Sequence, residues 1–403
     1  MNKHHRFYTL AARYLAVLVF LLLLCFSALT HAQTNKLSAQ QVDEILYHIH
    51  TYYVEDVPLS RFNVNNVDHL FEQLDPYSKY LDEQELESIF SAANGRYTGL
   101  GIEVEERENF VVILATIPNS PAANSGIKAG DKIKSINGHN VENKTISDVS
   151  ALLRAAQKRQ IVMTVVREQT EVQLHLQRRE ITLESVASTL LPEGTGYISV
   201  NSFNHHTFHD VARHINQLES QLGTTLNKLV IDLRDNPGGT LSSAVAISDL
   251  FLDSGTIVTT KGRFYDANQA YVAQQGDILN GAPILVLINH NSASAAEILA
   301  AALKDNKRAL VVGLTSYGKG SVQSLIPIGN GTTALKLTTA RYFTPAGSSI
   351  EGKGVEPDVH FSKQTLSLVD KSAIITGEES NKTTGIEQLA SHWPKALALV
   401  QSQ

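Results

Sequence analysis

The sequence predicts an α/β protein with a smaller β-rich module and a helical N-terminal region. Three observations carry this. Between 183 and 360, wholly apolar runs alternate with amphipathic stretches, the pattern of buried strands covered by helices. Between 95 and 180, short strand-like runs are separated by Pro, Gly, Asn and Asp. Between 37 and 93, apolar residues recur at helical spacing.

In the N-terminal region, QQVDEILYHIHTYYV places Val42, Ile45, Leu46 and Ile49 on one helix face. A second helix is expected over 82–93, opened by Asp82-Glu83-Gln84-Glu85, and Leu74-Asp75-Pro76-Tyr77-Ser78 reads as a turn before it. In the β-rich module, strands are expected over 100–105, 110–117, 132–136, 161–167 and 171–177. Val172, Leu174 and Leu176 alternate as a half-buried strand requires. One helix, 146–156, interrupts the series. In the third region the expected order is strand 196–200, helix 207–222, strand 228–233, helix 241–251, strand 283–288 and helix 295–303. Two strands around Gly329-Asn330-Gly331 follow. Beyond 365 the chain turns polar and ends in a short helix over 386–400.

The bulk numbers describe an ordinary globular chain: 403 residues, 43% hydrophobic and 18% charged. A net charge of −6 argues against nucleic acid as a partner. The first 32 residues stand apart. Lys3, Arg6 and Arg13 precede the apolar run 14–29, and Thr30-His31-Ala32 offers small residues for cleavage. This is the pattern of a secretory signal peptide. Kept uncleaved, the segment would instead anchor the chain, although its run is short for a span of about 20 residues. The expected location is therefore outside the cytoplasm, in a bacterial periplasm, with membrane association if the segment stays. Cys25 is the single cysteine; its removal would leave no thiol, disulfide or Cys metal ligand.

Residues 313–324, GLTSYGKGSVQS, carry most of a P-loop, but Gly320 stands where the Mg²⁺-holding Ser or Thr belongs, and strands rather than a helix follow. Lys319 needs another explanation. Ser294 follows a buried strand and opens a helix. With Glu297 three residues on it also fits a capping box, but a Ser there is well sited for nucleophilic work. No G-x-S-x-G supports a Ser-His-Asp triad. His205, His206 and His209 lack a metal-site spacing, and no metal or cofactor is expected. Lys319 is the alternative base. It would have to titrate about 3 pH units below its ordinary pKa of about 10.4, an environment costing roughly 4 kcal/mol. The uncharged run 310–318 suits that demand. Gln323, four residues on, can orient the amine without adding charge. Asn236-Pro237-Gly238-Gly239, at the end of another buried strand, can expose backbone N–H groups to a developing oxyanion.

Taken together, LDPYSKYL (74–81), YTGLGIEV (97–104), GIKAGDKIKSING (126–138), GYISVNSF (196–203), LVIDLRDNPGG (229–239), NSASAAEI (291–298), GLTSYGKGSVQ (313–323) and GKGVEPDV (352–359) resemble the carboxyl-terminal processing peptidases, or tail-specific proteases. The resemblance implies a crotonase-like (ClpP/crotonase-type) catalytic core with an inserted PDZ domain. The expected division is a signal peptide (1–32), an N-terminal helical region (33–94), a PDZ domain (95–182), a Ser–Lys peptidase core (183–365) and a C-terminal tail (366–403). Matched motif to motif, Ser294 is the nucleophile, Lys319 the general base and Gln323 its orienting partner. Ala295 and one of Gly238 or Gly239 would supply the oxyanion donors. Leu100-Gly101-Ile102 would be the carboxylate loop of a groove that takes protein substrates by their apolar C-termini. The family leaves room for an adaptor protein and a homo-oligomer as further partners. The chain departs from the family at Tyr77, where His is usual, at Ala296, where Ser is common, and after Arg154, where R-G-x-x-G-T is usual. Arg154, which in some relatives links groove occupancy to the active site, is the candidate regulatory residue.

Overall fold

The structure is a computed structural model that describes residues 38–58, 70–155, 160–368, 371–376 and 391–394. The expected signal peptide and most of the expected helix 386–400 lie outside the described residues. Among the described residues, no helix is long and apolar enough to cross a membrane.

The N-terminal region opens with α1 (Ala39–Tyr52), whose cap Ser38 and Gln41 satisfy each other's backbone N–H groups. Between the expected turn and the expected second helix lies a strand that the spacing did not imply. Lys79–Leu81 forms a short strand, β1, before α2 (Glu83–Ala93) starts at its cap Asp82. Three residues are too few to show a period, and an edge elsewhere in the chain supplies their partner.

Strand β2 (Arg96–Gly99) leads into the β-rich module. There follow β3 (Ile102–Arg107), β4 (Phe110–Thr116), the short α3 (Pro121–Asn124), β5 (Lys132–Ile136), β6 (His139–Asn140), α4 (Ile146–Ala155), β7 (Gln160–Arg167) and β8 (Thr170–Gln177). Strand β9 (Arg179–Thr182) leaves the module and pairs antiparallel with β2, so entry and exit form one neck. The module's sheet runs β3-β4-β5-β7-β8, with β3 at its end. Ile113, Ile133, Ile161, Met163 and Leu176 fill its core.

The third region begins with β10 (Val186–Leu191), β11 (Thr195–Val200), α5 (Thr207–Leu222), β12 (Lys228–Asp232) and α6 (Leu241–Asp249). Next come β13 (Thr256–Lys261), β14 (Gln269–Val272), β15 (Ile284–Ile288), α7 (Ala295–Asp305) and β16 (Ala309–Gly313). The hairpin β17 (Ser321–Ile328) and β18 (Thr333–Phe343) turns at the expected Gly329-Asn330-Gly331. Strand β19 (Val359–His360) and two short helices, α8 (Lys363–Leu368) and α9 (Lys371–Thr376), follow. The central sheet has the order β10-β11-β12-β15-β16-β19, antiparallel only between β10 and β11. A second sheet runs β1-β18-β13-β14, with β17 also on β18. Three strands of these sheets, β10, β13 and β14, were not expected from the sequence.

The β15 residues are buried along the whole strand. One face of the central sheet packs Ile198, Ile231 and Val286 against Leu299 of α7 and Ile215 of α5. The other face packs Tyr197, Val230, Leu285 and Leu287 against Ile374 and Trp393. The described parts of the expected polar tail therefore include two core residues. α1 buries Ile45 and Ile49 against Leu335 and Leu337 of β18. The parallel strands β12, β15 and β16 end side by side, and the loops leaving their carboxyl ends are 233–240, 289–294 and 314–320. Carboxyl ends of parallel strands are where α/β sheets place their sites.

Candidate active site

Those three loops bring together residues far apart in sequence. Asn236 pins the first loop to its neighbours. Its side chain donates to Val200 O at 2.8 Å and accepts from Gly238 N at 2.8 Å, while its carbonyl accepts from Ala293 N at 2.9 Å. Ser292 Oγ donates to Leu233 O at 2.8 Å and ties the second loop back. Gly238 and Gly239 take φ of 98° and 151°, which suits glycine. A β-carbon on Gly238 would lie 2.7 Å from Ala293 O and 2.8 Å from Ser294 Cβ. The first loop thus presses directly on the start of α7.

Ser294 sits there with φ 55° and ψ −114°, a sparsely populated conformation for a residue with a side chain. Ser294 and Glu297 close a capping box, in which the Glu297 carboxylate accepts from Ser294 N at 2.7 Å. Glu297 N also donates to Ser294 O at 2.9 Å. Ser294 Oγ lies within reach of the Tyr342 phenol. Tyr342 also donates to the Lys319 carbonyl. Ala295 N and Gly239 N donate no hydrogen bond among the described residues. The pairing of Phe203 with the first loop uses Gly238 O and Thr240 N, so Gly239 N points the other way. Gly238 N is committed to Asn236.

Glu297, 0% exposed, is the hub of the site. Its Oε1 accepts from Ser316 Oγ at 2.6 Å and Gly318 N at 2.7 Å, and its Oε2 accepts from Ser294 N at 2.7 Å and Lys319 N at 2.9 Å. Burial pushes its pKa up, and these four donors oppose that. The sequence reading saw Glu297 only as a cap. The available signal was its place as the only charge among residues 293–303 on a wholly buried helix stretch.

Lys319 follows the third loop. Burial, and then the Lys336 ammonium, push its pKa below the ordinary lysine value, against Glu351, Asp75 and Glu297. Its Nζ lies 4.8 Å from the centre of the Tyr77 ring. Gln323 stands on β17, four residues on. Its Nε2 donates to Ser321 Oγ at 3.0 Å and Thr338 Oγ1 at 3.2 Å, so the structure anchors this amide to β17 and β18.

In the β-rich module, Leu100 is buried and Gly101 takes φ 74°, with Ser120 too close for any β-carbon. Ile102 opens β3, the end strand of its sheet. α4 carries Val149, Leu152 and Leu153 into the same apolar cluster as Leu100 and Ile102. Arg154 falls on the last turn of α4, and its side chain lies outside the described residues. His205, His206 and His209 are exposed, and the described residues hold no cluster of three or more metal-ligating side chains.

Residues 194–361 match the model of peptidase family S41, and residues 112–167 match that of a PDZ domain. The chain is 37% identical over 319 residues to a carboxy-terminal-processing protease of Bartonella bacilliformis, covering 78% of this chain and 73% of that protein. It is 32% identical over 286 residues to the carboxy-terminal processing protease CtpA of Bacillus subtilis, covering 71% of this chain and 60% of that one. Among solved structures, the photosystem II D1 C-terminal processing protease matches with a TM-score of 0.54 at 27% identity, over 82% of this chain and 95% of that one. An S41 protease from Bacteroides fragilis matches in fold, with a TM-score of 0.58 at 17% identity over 86% and 96%. The chain belongs to peptidase family S41, among the serine-type carboxy-terminal-processing proteases, and carries a PDZ domain.

Proposed function

We propose that this protein is a serine endopeptidase of exported proteins, which recognises apolar C-terminal tails through its PDZ domain and cleaves with a Ser294–Lys319 dyad on a crotonase-like core. The observation that carries the reading is the shared carboxylate oxygen of Glu297, which holds the backbones of Ser294 and Lys319 in one arrangement. The neutral Lys319 amine takes the proton of Ser294 as Oγ attacks the scissile carbonyl carbon. The oxygen of that carbonyl becomes an anion, met by Ala295 N–H and Gly239 N–H. The Lys319 ammonium returns its proton to the leaving amine, giving an acyl-enzyme and the first product. A water molecule then attacks the ester, giving its proton to Lys319, which passes it to Ser294 Oγ as the acyl–Oγ bond breaks, so the second product leaves and both groups return to their starting forms. Gln323 orients the amine without charge.

At the PDZ domain, a tail adds as a strand along the open edge of β3, its last side chain among Leu100, Ile102, Val149 and Leu153 and its carboxylate on the backbone of 100–102. The N-terminal leader supports a periplasmic place of action. An adaptor protein and self-association fit the same scheme.

The test uses one reporter protein with three endings: apolar residues, Asp-Asp, and the apolar ending as a C-terminal amide. The apolar free acid should be cut fastest, and Ser294→Ala should cut none of them. Equal rates on all three would remove the PDZ domain from recognition, and undiminished cleavage by Ser294→Ala would remove the nucleophile.

A further inference from the structure

The turn 74–78 lies some 240 residues before Lys319 in the chain, yet it delivers a side chain to the base. Its conformation is heavily determined. Asp75 Oδ1 accepts from Tyr77 N at 2.8 Å and from Thr338 Oγ1 at 3.0 Å, and its Oδ2 accepts from Ser78 Oγ at 2.8 Å. Ser78 Oγ in turn accepts from Thr338 N at 3.0 Å, and Asp75 N donates to Tyr53 Oη at 3.0 Å. Because Thr338 Oγ1 also accepts from Gln323, one carboxylate helps set the positions of both Tyr77 and Gln323.

Tyr77 uses this fixed turn to lay its ring face 4.8 Å from Lys319 Nζ. Tyr317, next to Gly318 in the third loop, is among the neighbours that, with burial, raise the pKa of the Tyr77 phenol. We propose that Tyr77 is a positioning residue for Lys319, its ring roofing the amine so that it stays aimed and shielded from water, and that the N-terminal turn is thereby part of the working site. This rests on Lys319 being the base.

The charges around the amine show why a roof matters. Glu297 from α7, Glu351 from the loop after β18 and Asp75 from the turn favour the ammonium, while Lys336 from β18 opposes it. Tyr77 and Tyr342 stay neutral, since burial and nearby groups raise the first to about 12 and burial raises the second well above its ordinary value. Three acids against one cation would keep the amine charged in water. Burial is the largest influence in the other direction, and the Tyr77 ring supplies part of it. The ring face also attracts an ammonium; in the proposed role its exclusion of water outweighs this attraction, and the titration of Lys319 without the ring decides between the two.

The full chain should be labelled with trace acetic anhydride across a pH series, and the modification of Lys319 read by mass spectrometry beside kcat and KM. In Tyr77→Ala the amine should titrate about one pH unit higher than in the parent. That leaves about tenfold less neutral amine at pH 7 and should lower kcat about tenfold with KM little changed. Tyr77→Phe, which keeps the ring, should restore the parent's titration. Tyr77→Gln, polar and of similar length, should behave as Tyr77→Ala and replaces it should the smaller residue unfold the turn. If a folded Tyr77→Ala or Tyr77→Gln titrates Lys319 as the parent does, the role of Tyr77 is overturned and the dyad stands. If the parent's own Lys319 titrates near 10.5, the dyad reading itself falls.

Discussion

Ser294 and Lys319, 25 residues apart in the chain, donate their backbone N–H groups to the same oxygen, Glu297 Oε2, at 2.7 and 2.9 Å. The opposite oxygen holds Ser316 and Gly318. A single buried carboxylate thus joins the start of α7 to the loop after β16. Neither loop can shift without leaving buried donors unmet, which is how a strained serine and a buried lysine keep a fixed relation.

Glu297→Gln tests this joint. The side-chain amide is nearly the same shape, but its nitrogen would face two N–H or O–H donors and cannot accept from them. Destabilisation on the order of 3 kcal/mol is expected, from two unmet buried donors at about 1–3 kcal/mol each. Activity should fall further than the loss of folded protein explains. Denaturant unfolding with parallel rate measurements checks both; an unchanged midpoint would refute the joint.

The positive φ of Ser294 predicts an asymmetry between two inactive variants. Ser294→Gly relieves the backbone and should be more stable than the parent by about 1 kcal/mol. Ser294→Ala keeps the strain and should unfold near the parent's midpoint. Both should lose activity by a factor on the order of 10⁴ or more. Thermal unfolding of the three proteins decides whether strain is stored at this residue.

Lys319 should show its lowered pKa in the rate. The neutral amine is the working form, so kcat/KM should rise with pH and level off above an apparent pKa below 10.5. Lys319→Arg should be inactive at every pH where it is folded, because guanidinium does not release its proton. Substantial cleavage by that variant would end the lysine-base reading.

Gly238→Ala places a methyl group against Ala293 O and Ser294 Cβ. The nucleophile must move by a fraction of an ångström or more, and a rate loss on the order of 10² is expected with the fold retained. Gly239→Ala differs, since its β-carbon would lie 1.9 Å from Phe203 O. That variant should lose folded yield, which circular dichroism and expression level would show.

Trp393, 8% exposed, packs against the central sheet with Lys228 Nζ 5.6 Å above its ring. Trp393→Ala should cost about 3 kcal/mol or more in unfolding free energy. A change near zero would return this segment to the status of an appended tail.

Much of the architecture was legible in the sequence because it rests on local pattern. Continuous apolar runs identified β12 and β15, and amphipathic spacing identified α5 with its bounds intact. The hairpin turn at 329–331 followed from glycine and asparagine chemistry. The motifs around Ser294, Lys319 and Gly238-Gly239 were visible because each needs particular residue types at short spacing. What tertiary structure alone decided was contact across long separations. β1 has three residues and no period, and exists because β18 offers an edge. Trp393 falls in the segment expected to be an appended tail, and only the face of the sheet it packs on makes it core. Tyr77 reads as one residue of a turn until Asp75 and Thr338 fold it onto Lys319. Glu297 reads as a helix cap until the loop at 316–319 closes over it. Periodicity and turn chemistry act over a few residues, so sequence displays them; burial and charge balance around one amine sum over elements that only folding brings together.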